Sequence, residues 1–216
     1  MVFPLSSPAR FFRRRARSPF TTPGASLPEG IYYGNVYGAN PNRVPDYTPA
    51  QLQQIYGLTA AYKQGLNGKG QTIVLLEAYG YPTIEQDANA FFKLAGLPQL
   101  DSSNFQIVYP EGQPVSSQAG ILTGWNTEIA LDVQWAHFIA GAKIVVVAAA
   151  GQDSEDFQDA ISYITNHNLG NSVSDSWEED TDIVAGPLEQ KSFDQILQRA
   201  AAKGISFQFS TGERRR

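Results

Sequence analysis

The chain has 216 residues, 42% of them hydrophobic and 12% aromatic, with 16 basic against 21 acidic side chains and a formal net charge of −5. That length suits one domain with a sizeable core, and the composition is globular rather than disordered. No apolar run reaches membrane-spanning length, so no membrane span is expected, and the absence of cysteine excludes disulfides, cysteine nucleophiles and thiolate metal sites.

The charge is unevenly spread. Arg10, Arg13, Arg14, Arg15 and Arg17 stand near the start, and Arg214, Arg215 and Arg216 at the end, leaving a body in which 8 basic residues face 21 acidic ones. A folded nucleic-acid binder gathers its cations on one face, so no nucleic-acid partner is expected. An acidic, Lys-poor body suits work at low pH, where protonating carboxylates relieves self-repulsion. No apolar stretch or small-residue cleavage site follows the early arginines, so they do not read as an export signal.

Residues 1–46 read as a tail or linker, rich in Pro, Gly, Ser and Arg and without periodicity. Regular structure begins at Thr48-Pro49, a helix cap followed by a first-turn proline. Helical pieces are expected at 49–56 and 60–64, then an apolar strand at 72–76. A helix follows over 84–95, a strand near 105–109, a helix over 127–138, and the strongest strand at 144–148. Asp153 or Ser154 starts a helix reaching Thr165, a short strand lies near 172–174, and a helix over 187–202 ends at Gly204 and feeds a strand at 205–210. Strands with little alternation, separated by helices, predict an α/β class with a doubly wound parallel sheet covered on both faces.

Several chemistries are excluded by pattern. Gly65, Gly68 and Gly70 precede the first strand, whereas a dinucleotide fingerprint follows its strand and opens a helix. No GxSxG elbow and no HExxH motif occur, and the two histidines, His137 and His167, sit at helix ends as structural residues. The helix over 127–138 differs. Glu128 and Asp132 are four residues apart, on one face, among apolar neighbours. Like charges so placed repel unless they share a proton, and a shared proton makes a general base for the acidic range. The alternative from spacing alone is an ordinary solvent-facing acid pair.

Gly124-Trp125, Glu128, Asp132, Trp135-Ala136-His137 and Gly141-Ala142-Lys143-Ile144 together resemble the catalytic helix and following strand of the sedolisin (serine-carboxyl peptidase) family, which includes the kumamolisins. Tyr47-Thr48-Pro49-Ala50-Gln51-Leu52 with Tyr56-Gly57 is similar to the start of that catalytic domain, and Gly68-Lys69-Gly70-Gln71-Thr72-Ile73 to its first core strand. Ser174-Asp175-Ser176-Trp177 resembles its S-x-S-W segment, and Ser210-Thr211-Gly212-Glu213 stands where the family has Ser-Ser-Gly-Asp. The resemblance covers about residues 46–213, with the motifs in order.

The resemblance implies a subtilisin-like α/β fold and acid-acting proteolysis of a peptide or protein substrate. It implies Glu128 as base, Asp132 as its partner, Glu77 and Trp177 in support, and Glu213 at the oxyanion position. It also implies secretion, a pro-domain supplied separately, and a calcium site in the C-terminal part of the family's domain, so that no cofactor is expected among these residues. Glu213 is one methylene longer than Asp, and the three arginines after it favour its ionised form. The family's serine nucleophile lies in a Gly-Thr-Ser segment with no match in this sequence. The expectation is therefore the N-terminal part of a peptidase domain, inactive alone; the alternative is a non-catalytic peptide-binding remnant of the same fold.

Overall fold

The run Thr-Ile-Val-Leu-Leu-Glu-Ala sets the frame: three central apolar residues make a strand that must be covered on both faces. The computed structural model describes residues 49–113, 118–178 and 187–210. The tail expected over 1–46, and Glu213, lie outside them. In chain order the elements are α1 (Pro49–Ile55), α2 (Leu58–Lys63), β1 (Thr72–Ala78), α3 (Ile84–Ala95), β2 (Phe105–Val108), α4 (Gln118–Thr123), α5 (Trp125–Ala140), β3 (Lys143–Ala149), α6 (Ser154–His167), β4 (Ser172–Asp175), α7 (Pro187–Ala202) and β5 (Ser206–Phe209).

Local signals explain the boundaries. In α3, Glu85 and Asp87 lie in the first turn and Lys93 in the last, matching the helix dipole. Gly96 follows at φ 67°, and the Leu97 N–H reaches back to the Phe92 carbonyl at 2.8 Å, which satisfies a carbonyl the helix leaves open. At the start of α6 the Asp156 carboxylate accepts the Asp153 N–H at 3.1 Å. Helix α5 runs from Trp125 to Ala140, between the caps Gly124 and Gly141, longer at both ends than apolar periodicity predicts. Helix α4 was not expected; its six residues hold too few turns to show a period.

The five strands form one parallel sheet in the order β2-β3-β1-β4-β5. Alternation along β1 sends Val74 and Leu76 to one face and Leu75 to the other. On the first face they join Val145 and Val147 beneath Phe157, Ile161 and Ile164 of α6 and Ile196 and Ala200 of α7. On the second, Leu75, Ile144 and Val146 are covered by Ile84 and Phe92 of α3 and Ile129 and Val133 of α5. This is the doubly wound α/β arrangement the strand pattern predicts. β3 and β4 lie on opposite sides of β1, and the carboxyl ends of strands so arranged are where open α/β sheets hold their ligands.

One turn before β1 fixes how the helices close on the sheet. Gly68 has φ 74°, and a Cβ there would stand 1.9 Å from the Ala140 carbonyl oxygen at the end of α5. Gly68→Ala is therefore expected to destabilise the fold by at least about 2 kcal/mol, from both backbone strain and steric overlap. A urea midpoint unchanged from the parent would contradict this close approach.

Candidate active site

Glu77 follows Leu75 on the face of β1 that looks toward α5. It is fully buried, and no N–H or hydroxyl among the described residues reaches either carboxylate oxygen. Its neighbour is the carboxyl of Asp132 on α5. Two ionised carboxylates repel, so a hydrogen bond between them requires a proton. Burial, then the Asp132 charge and the carboxyl–carboxyl hydrogen bond, then the charges of Glu128 and Asp175, hold Glu77 well above the usual carboxylate range. Of the two, Glu77 is the one whose surroundings most favour the neutral form.

Asp132 is partly exposed and is raised by burial, opposed by hydrogen bonds from Ser176 and Glu77. The Ser176 hydroxyl donates to Asp132 Oδ2 at 2.7 Å. Asp132 thus meets two hydrogen-bond partners, Glu77 from β1 and Ser176 from the segment after β4. Glu128 lies one turn earlier on the same face of α5, close enough for its charge to act on Glu77.

The strand period explains how β4 contributes. Val173 and Asp175 are buried on the α6 and α7 face; Ser176, one residue on, turns toward α5; Trp177 returns to the first face. There the Trp177 ring stacks on Phe157 at 4.7 Å between centroids and on Phe193 at 5.9 Å, and its indole N–H donates to the Gln152 carbonyl at 2.9 Å. Of the residues expected at the site, the structure brings together Glu77, Glu128 and Asp132; the Trp177 ring belongs to the aromatic stack, and its neighbour Ser176 makes the contact to Asp132. Asp175 and Ser176 stand in the S-x-S-W-like segment, but nothing in the sequence links them to Asp132, because it is distant in the chain.

Tyr79, two residues after Glu77, has φ 62°, a conformation that costs a non-glycine residue about 1–3 kcal/mol. Its N–H bonds the Ala149 carbonyl at 2.9 Å, which holds the strained turn at the end of β1. An open cleft of about 410 Å³ lies elsewhere, at the far end of α5 against Tyr62, Lys69 and Phe138, and no carboxylate lines it.

Among solved structures, one that matches this fold is Pseudomonas sedolisin, a serine-carboxyl proteinase complexed with two molecules of pseudo-iodotyrostatin. In fold, the chain is similar to a sedolisin. The two superpose with a TM-score of 0.64 at 20% identity, over 77% of this chain and 44% of the sedolisin chain, so this chain spans less than half of the sedolisin's length. No family model matches the sequence, and no curated protein matches it. Likeness to a sedolisin at this identity shows the fold alone. Among the described residues no helix is long and apolar enough to cross a membrane.

Proposed function

We propose that the cluster at the ends of β1 and β4 is the acid half of a serine-carboxyl peptidase site acting on peptide or protein substrates. The observation that carries the reading is the pairing of fully buried Glu77 with Asp132, one helical turn from Glu128 on the same face of α5. Glu128 is the general base. It takes the proton of a hydroxyl nucleophile as that oxygen attacks the peptide carbonyl carbon, then returns the proton to the leaving amine. Asp132 shares the accepted proton with Glu128, and neutral Glu77 donates to Asp132 and fixes its orientation. Glu213 stands at the oxyanion position, where only a neutral carboxyl can donate, while the three arginines after it favour the ionised form.

Secretion and a separately supplied pro-domain belong to the same proposal. So does calcium, but the residues described do not fit it: no three His, Asp or Glu side chains among them converge to hold a metal.

Residues 1–216 contain no match to the family's nucleophile segment, so this chain is expected not to cleave peptides between pH 3 and 8. Joined to a C-terminal segment carrying Gly-Thr-Ser, with Glu213→Asp and a pro-domain supplied in trans, it is expected to cleave at acidic pH. Glu128→Ala in the joined protein should then lose about 10²–10⁴ in rate. Cleavage by the 216-residue chain that Glu128→Ala abolishes would show that another hydroxyl of this chain serves as nucleophile, with Ser174 and Ser176 the first candidates. A joined protein that binds peptides and never turns them over would favour the non-catalytic reading.

A further inference from the structure

Asp175 occupies a position built for an apolar side chain. It is 2% exposed, stands opposite Leu76 of β1 and Phe209 of β5 in the sheet register, and shares its face with Val173. Its Oδ1 accepts the backbone N–H of Trp177 at 3.0 Å, while Oδ2 is buried with no donor among the described residues. An Asp that accepts from the N–H two residues on closes an Asx turn and fixes the residue between them. That residue is Ser176, whose hydroxyl bonds Asp132.

The turn is anchored on both sides. The Ser210 N–H donates to the Asp175 carbonyl at 3.0 Å, and the Ser210 hydroxyl to the Trp177 carbonyl, also at 3.0 Å.

We propose that Asp175 is a positioning residue of the carboxyl site: its Asx turn aims the Ser176 hydroxyl at Asp132, and its own charge state is felt there. The proposal deepens the peptidase-type reading, but its readout is the ionisation of Asp132, which needs no turnover. Loss of the Asp132 titration effects would sink the positioning role alone, whereas an inactive joined protein with those effects intact would sink the peptidase reading alone.

Burial, opposed by the Trp177 N–H and reinforced by the Asp132 charge, pushes Asp175 up to about 7. The charged groups that bear on it are the carboxyls of Asp132 on α5 and Glu77 on β1; no cation among the described residues offsets them. Ionisation of Asp175 near neutrality thus adds a negative charge that acts on the Asp132 carboxyl.

The test is carboxyl carbon NMR of the 216-residue chain, with Asp132 assigned through Asp132→Asn, together with the amide signal of Trp177. In the parent, the Trp177 amide and the Asp132 carboxyl should both move with an inflection near pH 7. Asp175→Asn keeps the acceptor for Trp177 and removes the charge, so that inflection should vanish while the Asp132 midpoint stays within a few tenths of a pH unit. Asp175→Ala removes the turn. The Asp132 midpoint should then rise by about one pH unit, as in Ser176→Ala, because a donor to the carboxylate is lost. Combining the two changes should add little to either alone, which a general loosening of the fold would not reproduce. A Trp177 amide unmoved from pH 5 to 9 overturns the proposal in the parent itself, even if Asp175→Ala does not fold. So does an Asp132 midpoint indifferent to Asp175→Ala.

Discussion

The melting temperature is expected to fall as pH rises from 5 to 8, and Glu77→Gln is expected to remove much of that fall. Glu77 is raised well above its unfolded value, by burial first and then by Asp132. The stability tied to such a group is fully present below the unfolded value, about 4.3, and is lost as pH rises through the folded one. While the folded state keeps its proton and the unfolded chain does not, each pH unit costs about 1.4 kcal/mol. Asp132, raised by burial, and Asp175, raised to about 7, act in the same direction. His137 opposes them: burial lowers it, so its contribution is full above its unfolded value near 6.5 and is lost as pH falls. The acids outnumber the histidine. A decline on the order of 5–10 °C between pH 5 and 8 follows for a chain of this size. Gln keeps the shape of Glu77 and a donor for Asp132 but cannot ionise. Thermal melts of parent and variant from pH 4 to 8 check this, and a flat or rising parent curve would contradict the buried acid pair.

Phe157→Ala is expected to cost about 3–5 kcal/mol, a large share of the roughly 5–15 kcal/mol that holds a domain together. Phe157 is fully buried and lies under both Trp177 and Trp125, at 4.7 and 5.8 Å between centroids. Its removal leaves a cavity and takes away the platform on which Trp177 rests, and with it the support for Ser176 against Asp132. Phe157→Leu keeps most of the volume and should cost only about 1–1.5 kcal/mol. Urea unfolding gives the energies, and near-ultraviolet circular dichroism reports the tryptophan stack. A Phe157→Ala variant as stable as the parent, with an unchanged tryptophan signal, would show that the stack supports nothing.

The fold was legible where the signal was local. The apolar run of β1, the period of α3 ending at Gly96, and the strand at Val145–Val147 are each contained within one short stretch of chain. The order of the strands was not, because nothing within β1 says that β3 will lie on one side of it and β4 on the other. For the site, the spacing of Glu128 and Asp132 placed two carboxyls on one helix face, which is a property of the helix alone. The burial of Glu77 and the reach of Ser176 across 44 positions to Asp132 depend on how β1, β4 and α5 come together. Asp175 was hidden for the same reason: an aspartate in a short strand reads as polar until its neighbours Leu76 and Phe209 are known. Glu213 lies outside the described residues, so its place at the oxyanion position remains part of the proposal.

The sheet order also governs how the protein can be made. β1 is the central strand and the first synthesised, yet its partners are β3 and β4: Val74 pairs with Val145 and with Val173. At roughly 5–20 residues per second, several seconds pass on the ribosome between the emergence of β1 and that of its first neighbour. Throughout that interval Ile-Val-Leu-Leu is an unpaired strand with two sticky faces and two open edges, and among the described residues it is α3, following it directly, that covers one face. The nascent chain therefore offers chaperones a binding segment at its very centre, and faster translation shortens the exposure.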